Sequence, residues 1–229
     1  MESASGRLSA VRKTIAAACA AAGRDPAEVR LLAVSKRHAA DRILGLLSLG
    51  QQAFGENYVS EALGKQAEMA DADIEWHFIG PVQSNKTRDL ARAFHWVQSI
   101  DREKILRRLS DQRPASLGPL NVCLQVNIDE EAQKSGAAPP ELPALAALAA
   151  SLPGLRLRGL MCIPRAWDDP EKSRQAFART RHCFELLRAE GHDIDTLSMG
   201  MSGDIAPAIA EGSTMVRVGT ALFGPRDPS

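Results

Sequence analysis

The stretch VRLLAVSKRHAADRIL, Val29 to Leu44, contains one whole unit of the fold. Val29, Leu31, Leu32, Ala33 and Val34 form an apolar run of strand length, Ser35 and Lys36 end it, and a helical pattern starts a few residues later. A strand running directly into a helix is the building block of a parallel sheet. The same order recurs to the end of the chain. Strand-like runs follow at QAFGEN (52–57), EWHFIG (75–80), WVQSID (96–101), NVCLQVNI (121–128), LRLRGLMCIP (155–164), TLSMGMS (196–202) and MVRVGTALFG (215–224). Between them lie helix-like stretches such as RILGLLSLG, VSEALGKQAEMA, REKILRRLSDQ, PALAALAASLPG and SRQAFARTRHCFELLRAEG, several closed by a glycine. The segments Arg113 to Pro119 and Asp129 to Pro143 read as loops.

Eight such units in 229 residues favour closure into a single (β/α)8 TIM barrel, class α/β, over an open doubly wound sheet. No early G-x-G-x-x-G follows a strand to support the open alternative. The chain reads as one domain, residues 1–229, in which an extra Ala-rich N-terminal helix within residues 1–28 caps the barrel.

Composition removes several classes of function. Basic and acidic residues balance at 28 each, so no net field draws the protein toward nucleic acid or an anionic membrane. The first residues lack the apolar core of a signal peptide, and no segment has the ~18 apolar residues of a membrane span. Cys19, Cys123, Cys162 and Cys183 are widely spaced, which suggests neither a disulfide framework nor a zinc site. The cytoplasm is the default compartment, and no metal is expected.

Barrels of this kind concentrate function at the C-terminal ends of their strands. On that rim the sequence sets Ser35 and Lys36, Glu56 and Asn57, His77 and Gly80, Ser99 and Asp101, Asn127, Ser198 to Ser202, and Gly219 with Thr220. Lys36 is either the solvated start of a loop or an amine at the mouth of a site. In SMGMSGDIAPAIAEG a glycine-rich turn runs into a helix, so free N–H groups and the positive end of a helix dipole would face a bound anion. The plainer reading is a tight turn at Gly200 and Gly203, with Ser202 or Asp204 as helix cap. Arg217 interrupts an otherwise buried strand. By the period of two it shares a face with Met215 and Gly219, so it either makes an ion pair inside the barrel or faces a ligand.

A rim lysine, a phosphate cup and an inward arginine together match the aldehyde, phosphate and ring nitrogen of pyridoxal 5′-phosphate (PLP). The motifs AVSK, FGENYVSEA, WHFIGPVQSNK, SIDREKI, VNIDEEAQKSG, GLMCIP, LSMGMSGD and GSTMVRVGTALFG also resemble, in order and over nearly the whole chain, the signature segments of the YggS/PROSC family of PLP homeostasis proteins. That resemblance implies a monomeric barrel similar to the N-terminal domain of alanine racemase, a fold-type III PLP protein. It implies PLP held as a covalent aldimine on Lys36, Asn57 near the ring, Ser202, Gly219 and Thr220 on the phosphate, and Arg217 beside the pyridine nitrogen. It further implies apo PLP-dependent enzymes as partners, and no established turnover and so no catalytic residue. A permanent guanidinium does not protonate the ring, which then remains a poor electron sink.

The other readings are a PLP-dependent racemase of the alanine racemase type and a class I aldolase-like barrel in which Lys36 condenses directly with a sugar phosphate. In the racemases the second acid/base is a tyrosine from a separate β domain, which eight βα units leave no room for here. His77, Asn85 and Lys86 are read as lying near the mouth, Lys134 as a loop amine, and Met199 and Met201 as packing residues. Gly203 and the loop SGAAPPELP depart from the family pattern and touch none of the site residues named above.

Overall fold

The structure, a computed structural model, describes residues 3–131, 135–165 and 169–224. Eight parallel strands close into a barrel in sequence order: β1 Arg30–Val34, β2 Ala53–Glu56, β3 Glu75–Phe78, β4 Trp96–Ile100, β5 Leu120–Val126, β6 Leu155–Cys162, β7 Thr196–Ser198 and β8 Met215–Val218. Closure is made where β1 meets β8, with Leu32 opposite Arg217 and Ala33 opposite Val218. Each strand overlaps one of the eight strand-like runs, but the last run overreaches its strand: β8 ends at Val218, and Thr220–Phe223 is helical.

Around the barrel lie α1 Ala4–Ala21, α2 Ala40–Leu47, α3 Val59–Glu68, α4 Thr87–Ala93, α5 Glu103–Gln112, α6 Leu142–Ser151, α7 Pro170–Ala189, α8 Ile205–Ala210 and α9 Thr220–Phe223. The loops read at 113–119 and 129–143 carry short 3-10 turns, Ala115–Leu117 and Pro139–Glu141, and α6 begins inside the second. Along α1, Leu8, Val11, Ile15, Ala18 and Cys19 form one buried stripe, the mark of a helix packed on a single side. That stripe lies against α8, α9 and α2, and Arg24 donates to the Ile209 and Ser213 carbonyls. So α1 extends the outer helical layer beside the one-turn α9, where the sequence suggested a cap.

Strand alternation divides the barrel into two environments. Outward-facing Ala33, Phe54, Phe78, Val97, Val216 and Val218 join the helices in one large core. A fully buried Phe such as Phe54 contributes about 1.5–3 kcal/mol there. Facing inward, Leu32, Ala53, Ile79 and Met215 form one small apolar cluster and Trp96, Cys123 and Met161 another. The rest of the interior is polar: His77, Gln98, Ser198 and Arg217 are all buried. Near the C-terminal rim the inward position of the last strand falls to Gly219, which lines a cavity.

Candidate functional site

The cavity measures about 300 Å³ and opens at the C-terminal ends of β1, β2, β7 and β8. Lys36, Asn57, Ser202, Arg217, Gly219 and Thr220 all line it. Val34, His38, Ile79, Ile163, Met201 and Gly203 complete its wall. Six residues spread over 185 positions of sequence are thus brought together by barrel closure.

Lys36 occupies a tight turn held from behind. The Ser35 N–H donates to the Gly55 carbonyl at 3.0 Å, its hydroxyl donates to Glu56 Oε1 at 2.6 Å, and the His38 N–H closes the turn on the Ser35 carbonyl. Arg37 has φ 60°, a left-handed conformation that costs a non-glycine residue roughly 1–2 kcal/mol. Its N–H is caught by Glu61 Oε1 from α3, and Lys65 Nζ donates to the Ser35 carbonyl, Glu56 Oε1 and Glu61 Oε1 at 2.6–2.8 Å. Among the described residues the Lys36 amine itself has no hydrogen-bond or carboxylate partner. Its backbone is therefore fixed while its amine is left to the cavity, an arrangement typical of functional positions.

Burial raises the Glu56 carboxyl above its ordinary value, against the opposing pull of Lys65. Lys65→Met should therefore leave a buried carboxylate uncompensated and destabilise the protein by about 3–5 kcal/mol. Adding Glu56→Gln should recover much of that loss in denaturant titrations. Equal stability of Lys65→Met and the parent would show that the network does not hold the turn.

On the opposite wall, the N–H groups of Ser202, Gly203, Thr220 and Ala221 make no backbone hydrogen bond among the described residues. Gly200, at φ 97°, turns the chain so that Ser202 and Gly203 reach the cavity, and a Cβ there would lie 2.6 Å from that of Ala208. Gly203 thus lines the cavity beside Ser202, within the glycine-rich turn. Met199 is fully buried as expected for a packing residue, whereas Met201 is 41% exposed and lines the mouth. The helix after this turn, α8, has six residues, and Asp204 at its cap position turns its carboxylate back onto the Met201 N–H. The N–H groups of the turn, rather than a helix end, are what the cavity wall offers an anion.

Arg217 enters from β8 at 3% exposure. Its Nη1 donates to the carbonyl and hydroxyl oxygens of Ser198 at 2.6 and 2.8 Å, and Nη2 donates to the Cys162 carbonyl at 2.8 Å. No carboxylate pairs with it among the described residues. The ion-pair alternative is thereby set aside, and a buried guanidinium fixed by neutral oxygens faces the ligand space. From β2, Asn57 presents a buried Oδ1 with no hydrogen-bond partner. A buried polar atom without a partner is costly unless a ligand supplies one.

The rim is not equally used. On its far side the Ser99 hydroxyl donates to the Gly80 carbonyl, and Asn127 braces its own loop through Glu131. Lys86 and Tyr58 line a separate cavity that touches Asn57, Asn85 is exposed, and Lys134 lies outside the described residues. His77 does not lie at the mouth. It is fully buried one layer lower, stacked on Trp96 at 5.1 Å between ring centroids, with Nε2 2.5 Å from Glu75 Oε1. Sequence periodicity gave the face of the sheet but not the depth, because strand stagger sets depth.

Burial pushes His77 down to about 4. Unfolded, it takes up a proton near pH 6.5; folded, it resists doing so until near pH 4. Its contribution to stability is present above pH 6.5 and is lost as pH falls toward 4. Denaturation measured across that window should show a slope that His77→Gln flattens, and an unchanged slope in the variant would refute the assignment.

Comparison with known proteins follows the same outline. Residues 7–227 match the family described as alanine racemase, N-terminal domain. A Pseudomonas aeruginosa protein named pyridoxal phosphate homeostasis protein is 58% identical over 220 residues, covering 96% of this chain and 94% of that one. Its namesake in Escherichia coli K12 is 50% identical over 225 residues, covering 97% and 96%. Among solved structures, PipY of Synechococcus elongatus with PLP bound has a TM-score of 0.80 and 37% identity, over 92% of this chain and 100% of that one.

Proposed function

Because this chain belongs to the family of the pyridoxal phosphate homeostasis proteins, we propose that it binds PLP in the β1–β8 cavity and keeps it available to apo PLP-dependent enzymes. In this reading residues 1–229 act as one monomeric domain in the cytoplasm. No helix among the described residues is long and apolar enough to cross a membrane, and none of their side chains form a group of three or more metal-binding residues. The observation that carries the proposal is the meeting of an unpaired amine, a set of open N–H groups and a buried guanidinium in one cavity.

When bound, PLP supplies an aldehyde that condenses with a primary amine to a Schiff base, releasing water. Lys36 is the amine of the cavity, and its braced turn holds it in place. Ser202, Gly203, Gly219 and Thr220 would hold the phosphate through N–H and hydroxyl donors. Arg217 would donate to the ring nitrogen and, as a permanent cation, keep its own proton. Asn57 would satisfy its Oδ1 on a donor of the bound group or its hydration.

Charge-assisted hydrogen bonds contribute about 1.5–3 kcal/mol each, so losing two or more should cost at least a hundredfold in affinity. Titration should therefore show pyridoxal binding at least ~100-fold more weakly than PLP. Ser202→Ala should weaken PLP binding modestly, since the N–H donors remain. Equal affinity for the two vitamers would remove the phosphate cup from the proposal.

A further inference from the structure

Below the cavity, a line of polar side chains runs from Arg217 into the barrel interior, beyond the reach of bound PLP. Arg217 Nη1 donates to Ser198 Oγ at 2.8 Å, and Ser198 Oγ donates to Gln98 Oε1 at 2.6 Å. Gln98 Nε2 faces His77 Nδ1 at 2.8 Å and Met215 Sδ at 3.2 Å, and His77 Nε2 meets Glu75 Oε1, which Arg30 also contacts at 2.8 Å. The line crosses β8, β7, β4 and β3, where apolar side chains could fill the space without desolvating polar groups.

Each donor direction follows from the one before it. Arginine can only donate, so Ser198 Oγ accepts from it. The single serine hydrogen then goes to Gln98 Oε1, which turns the amide NH2 toward His77 Nδ1. That nitrogen must be bare, so the His77 proton sits on Nε2 and points at Glu75. All the bonds run in one sense, from the guanidinium to a carboxylate at the other end of the barrel, and such aligned chains strengthen one another.

The geometry points to Gln98 as a positioning residue for Arg217: by accepting the Ser198 hydroxyl hydrogen it leaves the Ser198 oxygen turned to accept from the guanidinium, so that the ring nitrogen of bound PLP meets its donor in one orientation. This rests on the PLP reading above and extends it to residues that line no part of the cavity.

The test has two parts. In the protein without PLP, 15N NMR of labelled histidine should show His77 as the neutral tautomer with its proton on Nε2; a proton on Nδ1 would overturn the proposal. In the PLP-loaded protein, Gln98→Leu and Ser198→Ala should displace the visible absorption band in the same direction and weaken binding about tenfold each. The double variant should lose little more than either single one, because both break the same line. Met161→Ala, which removes packing from the same interior, should leave the band in place. An unmoved band in both relay variants, or an equal displacement in Met161→Ala, would overturn the role of Gln98. Ser198→Ala carries the test if Gln98→Leu does not fold. A parent chain that takes up no PLP would overturn the underlying reading instead, and is recognised by the absence of any visible band while the tautomer result stands separately.

Discussion

Borohydride reduction of the PLP-loaded protein is expected to fix the cofactor on Lys36, and peptide mapping should recover the adduct there. The chain has seven lysines, six of them among the described residues, and the structure separates those six by what their amines already do. Lys65 Nζ is committed to three oxygen acceptors and is almost fully buried, so its amine is not free to attack an aldehyde. Lys86 opens into a neighbouring cavity, and Lys13, Lys104 and Lys172 are exposed on the outer helices. Among the described lysines, Lys36 alone lines the cavity with the phosphate donors and Arg217. Lys36→Ala should fold with stability within about 0.5 kcal/mol of the parent, since no described group depends on its amine. It should lose the fixed label completely while keeping weaker, reversible binding through the phosphate donors. Label that persists after Lys36→Ala, or that maps to Lys65 or Lys86 in the parent, would refute the assignment.

What made Lys36 legible in the sequence was its place at the end of an apolar run in a chain of repeated strand–helix units. The same logic brought Arg217 inside the barrel, because Val216 and Val218 had to face the helices. Two kinds of feature escaped that reading. Glu61 and Lys65 are four residues apart on α3, a spacing that usually marks a surface ion pair. Here it lies under the Lys36 turn, and only the packing of α3 against β1 and β2 makes it a support for the site. Depth inside the barrel was equally hidden. His77 and Ser198 read as separate rim residues on two strands, and the stagger between strands joins them through Gln98 beneath the cavity. The short α4 carries little signal in the sequence, because TRDLARA buries only Thr87, Leu90 and Ala91, too few positions to show a period.

The PLP-loaded protein is expected not to racemise amino acids at an enzyme-like rate. Two-base inversion needs a proton acceptor on one face of the bound substrate and a donor on the other. Among the described residues the bases on the cavity wall are Lys36 and His38, two residues apart on the same β1–α2 turn, so both approach from one side. His38 is also buried and stacked on Phe223 at 4.7 Å between ring centroids. Across the cavity lie Ser202, Gly203, Gly219 and Thr220, which hold N–H and hydroxyl donors but no base, and Arg217, which does not give up its proton. General acid–base catalysis contributes about 10²–10⁴-fold, so the lack of an opposed partner should leave any inversion at least ~100-fold below typical turnover of about 1–10³ s⁻¹. Incubating the loaded protein with each L-amino acid in deuterated water, with NMR of the α-proton and a chiral assay, reads exchange and inversion separately. One-sided access predicts slow exchange with retention, carried by Lys36 and lost in Lys36→Ala. Rapid exchange with inversion on any amino acid would make the protein a racemase, and would require a second base on the wall formed by β7 and β8, where the described residues supply none.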